Sequence, residues 1–178
     1  KHLLEYDDVM NKQREVIYKH RQNVLKATDV TEDVLGMVED VGEGLVDTFC
    51  PEEQYSEEWN FTGLAETVQG QFGLDVIRPD EIKDMGRETL KEEVKGKLKQ
   101  AYQHKVQGLI QEHGASEDLV HYVERTILLQ MIDHHWKDHL WGMDQLKDGI
   151  GLRGYGQKDP LAEYKREGYD MFAGMMER

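Results

Sequence analysis

Two histidines, His135 and His139, have the spacing of a metal site. They lie four positions apart in the run DHHWKDH, so on a helix they would share one face, as zinc ligands often do. The run lacks the glutamate of the metalloprotease motif, no cysteine pair stands nearby, and no third ligand is marked. We therefore expect packed or surface histidines and no metal. A metal-binding helical bundle centred on this pair is kept as an alternative.

A second candidate is the basic, glycine-rich segment GLRGYGQK at 151–158, called the hairpin loop below. Its glycines permit tight or left-handed backbone. Lys147, Arg153 and Lys158 make it locally basic in an acidic chain. Tyr155 offers a large amphipathic face that can rest on an unstructured peptide. The residues alone leave two interpretations open: a simple turn in which Tyr155 covers the end of a bundle, or a contact site for a polypeptide.

Motifs of catalysis are missing from the sequence. It holds no GxxxxGK[ST] loop, no acidic magnesium-binding motif and no Ser/His/Asp order typical of hydrolases. We expect this chain to hydrolyse nothing and to bind no cofactor. The single cysteine, Cys50, excludes an internal disulfide and suits a reducing cytosol, so we interpret it as a free structural thiol.

The hairpin loop must be positioned by the helices on either side of it. The preceding segment carries an apolar stripe with steps of three and four, which predicts a helix that packs on another helix. Its members are Leu129, Ile132, Trp136, His139, Met143, Leu146 and Ile150. Ser116 is a suitable N-cap for this helix, and Asp159-Pro160 has the residue types that begin another. The second helix can turn its own apolar residues back, namely Leu161, Tyr164, Met171, Phe172 and Met175.

The first 26 residues predict a long helix that has no partner close in sequence. Its stripe runs through Leu3, Tyr6, Met10, Gln13, Ile17, His20 and Val24, and Val9 and Val16 would widen it. The C-terminal hairpin is the simplest partner for this stripe. The predicted fold is therefore all-α, with a long helix packed on a C-terminal antiparallel helical hairpin and a small helical domain inserted between them.

The inserted part predicts three more helices. The first would bury Val30, Val34, Met37, Val38, Val41, Leu45 and Phe49, with Gly36, Gly42 and Gly44 weakening it. A short helix capped by Thr62 would end at Gly73, and a longer one would run from about Arg87 to Glu112.

Charge is distributed unevenly along the chain. The net charge is −14, and from Ala27 to Ile77 thirteen Asp and Glu residues occur without one Lys or Arg. A nucleic-acid partner is disfavoured, because phosphate binding needs a basic face. The acidic stretch is interpreted as a solvated surface, with a docking face for a basic partner as the alternative. No apolar run approaches the roughly 20 residues of a membrane-spanning helix, and no signal peptide is recognisable.

Two separated segments resemble one family. LLQMIDHHWKDHLWGMDQLKDGIGLRGYGQKDPLAEYKREGYDMFAGMM is similar to the two-helix finger of the SecA family of bacterial preprotein translocase motors, and LRGYGQKDPLAEYKRE is its most specific part. KHLLEYDDVMNKQREVIY resembles the long scaffold helix of the same family. The resemblance implies three parts: a scaffold helix at 1–26, a helical wing domain at 27–116, and the two-helix finger at 117–178. Both ends of the chain fall within helical patterns, so we expect it to belong to a longer protein.

The resemblance also implies a function, with partners and a location. The chain would couple nucleotide-dependent motion to preprotein engagement at a SecY-type channel. ATP and magnesium would bind to nucleotide-binding domains outside this chain. The protein would be cytoplasmic and peripheral on the cytoplasmic face of the bacterial inner membrane. The competing interpretation is a stand-alone acidic helical adaptor that binds another protein.

Site residues follow from the matched motifs. The residues implied to contact channel and preprotein are Leu152, Arg153, Gly154, Tyr155, Gly156, Gln157 and Lys158. The residues implied to couple the scaffold helix to the motor domains, through the LLEYDD match, are Tyr6, Asp7, Asp8 and Arg14.

Overall fold

The fold is helical, as the sequence patterns predict. A computed structural model describes residues 2–151 and 159–177, with side chains from residue 4 onward. Within those ranges the elements are α1 (His2–Lys26), α2 (Thr31–Phe49), a 3₁₀ turn (Ser56–Glu58), α3 (Phe61–Phe72), α4 (Pro79–Ile82), α5 (Arg87–His113), α6 (Glu117–Ile150) and α7 (Pro160–Met176). The described residues contain no β-strand. The all-α prediction is confirmed.

The chain forms two compact units. The first unit combines residues 1–28 with residues 123–178, and the second consists of residues 29–122. The two ends of the chain therefore fold together, and the middle forms a unit inserted between them. The border between residues 122 and 123 falls inside α6, six residues beyond the predicted border after residue 116. The division into scaffold and wing parts at 26 and 116 stays a prediction.

In the first unit, α1 packs on α6 and α7 through the predicted stripes. Residues buried in this unit include Gln13, Ile17, Val24, Trp136, His139, Met143, Ile150, Tyr164 and Met175. Trp136, Ile17 and Met175 form one cluster, and Met143, Ile150 and Tyr164 form another. Val16 is 49% exposed, so it does not widen the stripe as expected. Val9, the other residue expected to widen the stripe, packs against the cluster of Met143, Ile150 and Tyr164.

Pairs of residues along these helices show their directions. Asp7, Gln13 and Arg21 of α1 meet Lys147, His139 and Asp133 of α6, respectively. The α6 numbers fall as the α1 numbers rise, so α1 and α6 are antiparallel. Met175 packs beside Trp136, whereas Tyr164 packs beside Ile150, so α7 also runs antiparallel to α6. This is the hairpin that the sequence predicts.

In the second unit, α2 packs closely on α5. The predicted face of α2 is partly wrong, because Met37 and Val41 are 44% and 38% exposed. The buried residues are Leu35, Gly42 and Val46. A Cβ atom on Gly42 would lie 3.1 Å from Leu98 Cδ1 and 3.6 Å from the Lys95 Cα of α5. The missing side chain lets the two helices approach, so this glycine marks a contact rather than a weak point.

The core of this unit is apolar. Its buried members are Val46, Cys50, Leu64, Val68, Ile77, Ile82, Leu90, Val94 and Leu98. Burial raises the pKa of the Cys50 thiol to about 11, so the thiol stays protonated near neutral pH. The structure therefore places Cys50 as a buried free thiol.

Local signals account for several of the helix ends. Gly73 and Gly114 adopt left-handed backbone, with φ of 67° and 68°, and end α3 and α5. Ser116 Oγ accepts a hydrogen bond from Leu119 N at 3.2 Å, and Asp159 Oδ1 accepts one from Leu161 N at 3.1 Å. The predicted cap of α3 is wrong. Asn60 rather than Thr62 is its N-cap, and Asn60 Oδ1 accepts from Gly63 N at 2.8 Å.

None of the helices within residues 2–151 and 159–177 is long and apolar enough to span a lipid bilayer.

Candidate functional site

Residues Leu152 to Lys158 of the hairpin loop, which the sequence assigns to channel and preprotein contact, lie outside the described residues. The structure describes the helices on both sides of them. α6 ends at Ile150, and α7 begins at Pro160 behind its Asp159 cap. The site can therefore be built from its base upward.

The hairpin base, defined here as Met143, Ile150 and Tyr164, anchors both sides of the loop in one core. These side chains are 1%, 4% and 1% exposed. Tyr6 of α1 contacts Tyr164 edge-on, with ring centroids 4.8 Å apart. Because α1, α6 and α7 all contribute, the loop leaves a packed three-helix end rather than a free hairpin.

The four predicted coupling residues take different positions on α1. Tyr6 is partly buried against the hairpin base. Asp7 Oδ1 accepts a hydrogen bond from Lys147 Nζ at 3.3 Å. Asp8 is exposed, and Arg14 Nη1 donates to Asn11 Oδ1 at 2.9 Å within the same helix. The structure therefore brings Tyr6 and Asp7 to the hairpin and leaves the other two on exposed surface. Their coupling to motor domains stays a prediction.

The histidine pair divides between core and surface. His139 is 5% exposed, stacks on Trp136, and meets Phe172 edge-on, with ring centroids 5.5 Å apart in both pairs. Its Nε2 lies 2.7 Å from Gln13 Oε1. Burial lowers the pKa of His139, which favours the neutral ring. His135 is only partly buried. Among the described residues, the groups close enough to share a metal ion include neither histidine.

One glutamine, Gln13, connects the three helices of the first unit through hydrogen bonds that the sequence did not predict. Gln13 Nε2 donates to the backbone carbonyl of Gly168 in α7 at 2.9 Å. The Oε1 atom then faces His139 Nε2 of α6, so that nitrogen must carry the proton. The sequence did hold a signal for this hydrogen bond, because the apolar stripes of α1 and α6 each include a polar residue, Gln13 and His139.

Farther along α1, an ion pair attaches the same two helices. Arg21 Nε and Nη2 donate to the two oxygens of Asp133, at 2.7 and 3.1 Å. This bidentate pair lowers the pKa of the Asp133 carboxyl. Arg125 Nη1 donates to the backbone carbonyl of Ala27 at 2.8 Å. Polar contacts therefore attach α1 to α6 along its length, from Asp7 to Ala27, the residue after the end of α1.

The acidic charge of the chain belongs to the second unit. Residues 29–122 contain 22 Asp and Glu against 8 Lys and Arg, whereas the first unit contains 14 of each. Part of this charge is neutralised internally, because Lys91 Nζ lies 2.8 Å from Glu43 Oε1 and 2.8 Å from Asp47 Oδ1. Lys99 pairs with Glu39 at 2.8 Å. The lysines of α5 thus lower the pKa of Glu39 and of Glu43, and three of the acidic residues serve α2–α5 packing.

The family model for the SecA wing and scaffold domain matches residues 1–178, which is the whole chain. The chain belongs to this SecA family. It is 47% identical, over its whole length, to the protein translocase subunit SecA of Syntrophus aciditrophicus. It is 45% identical over its whole length to that of Acidobacterium capsulatum and 44% identical over 99% of its length to that of Desulforamulus reducens.

The chain spans about a fifth of the length of these relatives, between 18% and 20%. The family resemblance drawn from the two end segments is thereby confirmed, and it extends through the middle of the chain.

Proposed function

We propose that this chain is the wing and scaffold part of an ATP-driven preprotein translocase motor. The observation that carries the proposal is the packing of the hairpin on α1. Contacts from Asp7 to Ala27 attach α1 to α6, and Tyr6 attaches it to the hairpin base. A displacement of α1 would therefore move the base of the hairpin loop with it.

In this proposal the hairpin loop, residues 151–158, engages unfolded preprotein at the cytoplasmic mouth of a SecY-type channel. Tyr155 contacts the polypeptide through its amphipathic ring, which demands no particular sequence. Arg153 and Lys158 supply local positive charge in an otherwise acidic chain. The protein acts in the cytoplasm, peripherally on the inner membrane.

The energy source in this proposal lies in the nucleotide-binding domains of the longer protein. ATP and magnesium bind there, and this chain has no catalytic residue and no cofactor of its own. Tyr6, Asp7, Asp8 and Arg14 transmit motion from those domains. Asp8 and Arg14 suit a contact outside this chain because both are exposed, whereas Tyr6 and Asp7 face the hairpin and would pass the motion on.

The proposal is tested by Tyr155→Ala in the full-length protein. Loss of the ring should reduce preprotein transport into membrane vesicles severalfold, while thermal unfolding of the protein stays as in the wild type. Tyr55→Ala is the matched control, because Tyr55 is 79% exposed in the second unit. Transport by the Tyr155→Ala protein at the wild-type rate would contradict the loop assignment and favour the acidic adaptor instead.

A further inference from the structure

Gln13 has a chemical environment unlike that of its neighbours in the interface between α1 and the hairpin. In the first unit, the described residues with buried polar or charged side chains are Gln13, Glu124 and His139. Gln13 is 6% exposed and bonds to two helices at once, to Gly168 O at 2.9 Å and to His139 Nε2 at 2.7 Å. Apolar clusters lie on both sides of it along α1.

These apolar clusters hold α1 against the hairpin but do not fix its position along the helix axis. Met10, Ile17 and Val24 recur every seven residues on α1, and Trp136, Met143 and Ile150 recur every seven on α6. If the helices slid along each other, apolar side chains would again meet apolar side chains. In interfaces with such a repeat, a buried polar residue at one position can specify the register, as it does in coiled coils.

The hydrogen bonds of Gln13 can be made in one register only. A slide by one seven-residue repeat would take its amide away from Gly168 O and from the His139 ring, leaving buried polar groups without partners. Gly168 contributes by lacking a side chain. A Cβ atom there would lie 2.8 Å from Met143 Cε and 3.9 Å from Gln13 Nε2. The glutamine therefore reaches the α7 backbone across a close contact.

The surface ion pairs of this interface are poor substitutes. The Arg21 and Asp133 side chains are 39% and 40% exposed, and those of Lys147 and Asp7 are 39% and 57% exposed. Water and salt screen such pairs, and long side chains can follow a sliding helix.

We propose that Gln13 is a positioning residue that fixes the axial register between α1 and the α6–α7 hairpin. With the register fixed, the base of the hairpin follows α1 as one body. The mechanical role of this register rests on the proposed function. The register itself can be measured without a transport assay.

The test uses the full-length protein with spin labels on Lys19→Cys of α1 and Asp148→Cys of α6. Both positions are exposed, and helix rise puts them about 20 Å apart along the axis. Cys50 can stay, because its buried thiol of raised pKa resists labelling, while other accessible cysteines are replaced. Pulsed electron spin resonance then reports the distance distribution between α1 and α6.

Gln13→Met removes both hydrogen bonds and keeps an unbranched side chain of similar length. It should broaden the distribution or add a second population displaced by about 10 Å, which is the rise of seven helical residues. Gln22→Met makes the same chemical change at an exposed position of α1 and should leave the single wild-type distance. A single unshifted distance in Gln13→Met would overturn the proposal.

His139→Leu tests the same network from the α6 side. It removes the ring that bonds to Gln13 Oε1 but keeps the bond to Gly168 O, so it should broaden the distribution less than Gln13→Met. If Gln13→Met fails to fold, Gln13→Leu, which also removes both hydrogen bonds, decides, and a single unshifted distance in it contradicts the register role.

The mechanical consequence is read from the ATP hydrolysed per preprotein transported. A Gln13→Met protein that slips should use more ATP for each preprotein, because part of the α1 motion is lost as sliding. Slipped register with an unchanged ratio would refute the proposed hairpin mechanism while leaving Gln13 as the residue that sets register. The two failures are therefore distinguishable.

Discussion

Trp136 is the largest side chain of the α1–α6 interface, and its burial carries a stability prediction. It is 7% exposed, packs with Ile17 and Met175, and stacks on His139. Trp136→Ala would leave a cavity and should lower the free energy of unfolding by about 3–5 kcal/mol. Chemical denaturation followed by circular dichroism measures this change.

Trp141→Ala is the matched control for that substitution. Trp141 lies on the same helix but is 69% exposed, so its removal should change the free energy of unfolding by less than about 0.5 kcal/mol. Similar losses in the two variants would mean that the buried stripe of α6 is assigned to the wrong face.

His139 carries a pH prediction. Burial lowers the pKa of His139 in the folded protein, so the unfolded chain binds this proton more readily. The neutral ring therefore stabilises the fold fully only above the pKa of the unfolded chain, about 6.5. Stability should fall as the pH is lowered from about 7 toward the lowered folded-state value. Thermal unfolding across pH 7 to 5 measures the slope.

His139→Gln should flatten that pH dependence, because glutamine can still donate to Gln13 Oε1 but does not titrate. His104→Gln, on the exposed surface of α5, controls for the loss of a histidine. An unchanged slope in His139→Gln would show that other groups cause the acid sensitivity.

Among the helices, the α2–α5 contact shows where sequence patterns fall short. Periodicity alone selected Met37 and Val41, which are exposed, and passed over Leu35 and Val46, which are 3% and 0% exposed. The buried face of α2 is the one that carries Gly42, because α5 approaches the helix closely at this glycine. A glycine in a helix looks unfavourable until the partner helix is known, and a single sequence does not identify that partner.

Gly42 therefore carries the prediction for this pair of helices. Gly42→Leu would force α2 away from Leu98 and Lys95 and should lower the free energy of unfolding by about 1–3 kcal/mol. Gly44→Leu places the same side chain two residues away, where a Cβ meets nothing within 4 Å. It should raise stability by up to about 1 kcal/mol through helix propensity. A Gly42→Leu protein as stable as the wild type would contradict the close contact.

The longer helices of the first unit were predictable for the opposite reason. The stripes of α1 and α6 are long, regular and free of internal glycine until Gly142, so their buried faces follow largely from spacing, with the exposed Val16 as the exception. What spacing could not give was the Gln13–His139–Gly168 hydrogen-bond network, because it joins residues 126 and 155 positions apart. The residues assigned to preprotein contact came from family resemblance and stay predictions.

For the whole molecule, the two units differ in charge and in packing. The second unit carries the entire net charge, and its Lys91 is 8% exposed between acidic partners. The first unit is neutral and carries the hairpin. The SecA family assignment covers both units, and the proposed mechanical role depends on the first, because it holds α1 and the base of the loop together.

In the proposed function the hairpin loop touches preprotein and channel. Site-specific photo-crosslinking from position 155 of the full-length protein, with membranes and a stalled preprotein, measures this contact. Position 107, exposed on α5, is the control. We expect adducts to preprotein and channel from 155 and none from 107. If transport proceeds and position 155 gives no adduct, the loop does not contact preprotein and the proposed function is wrong.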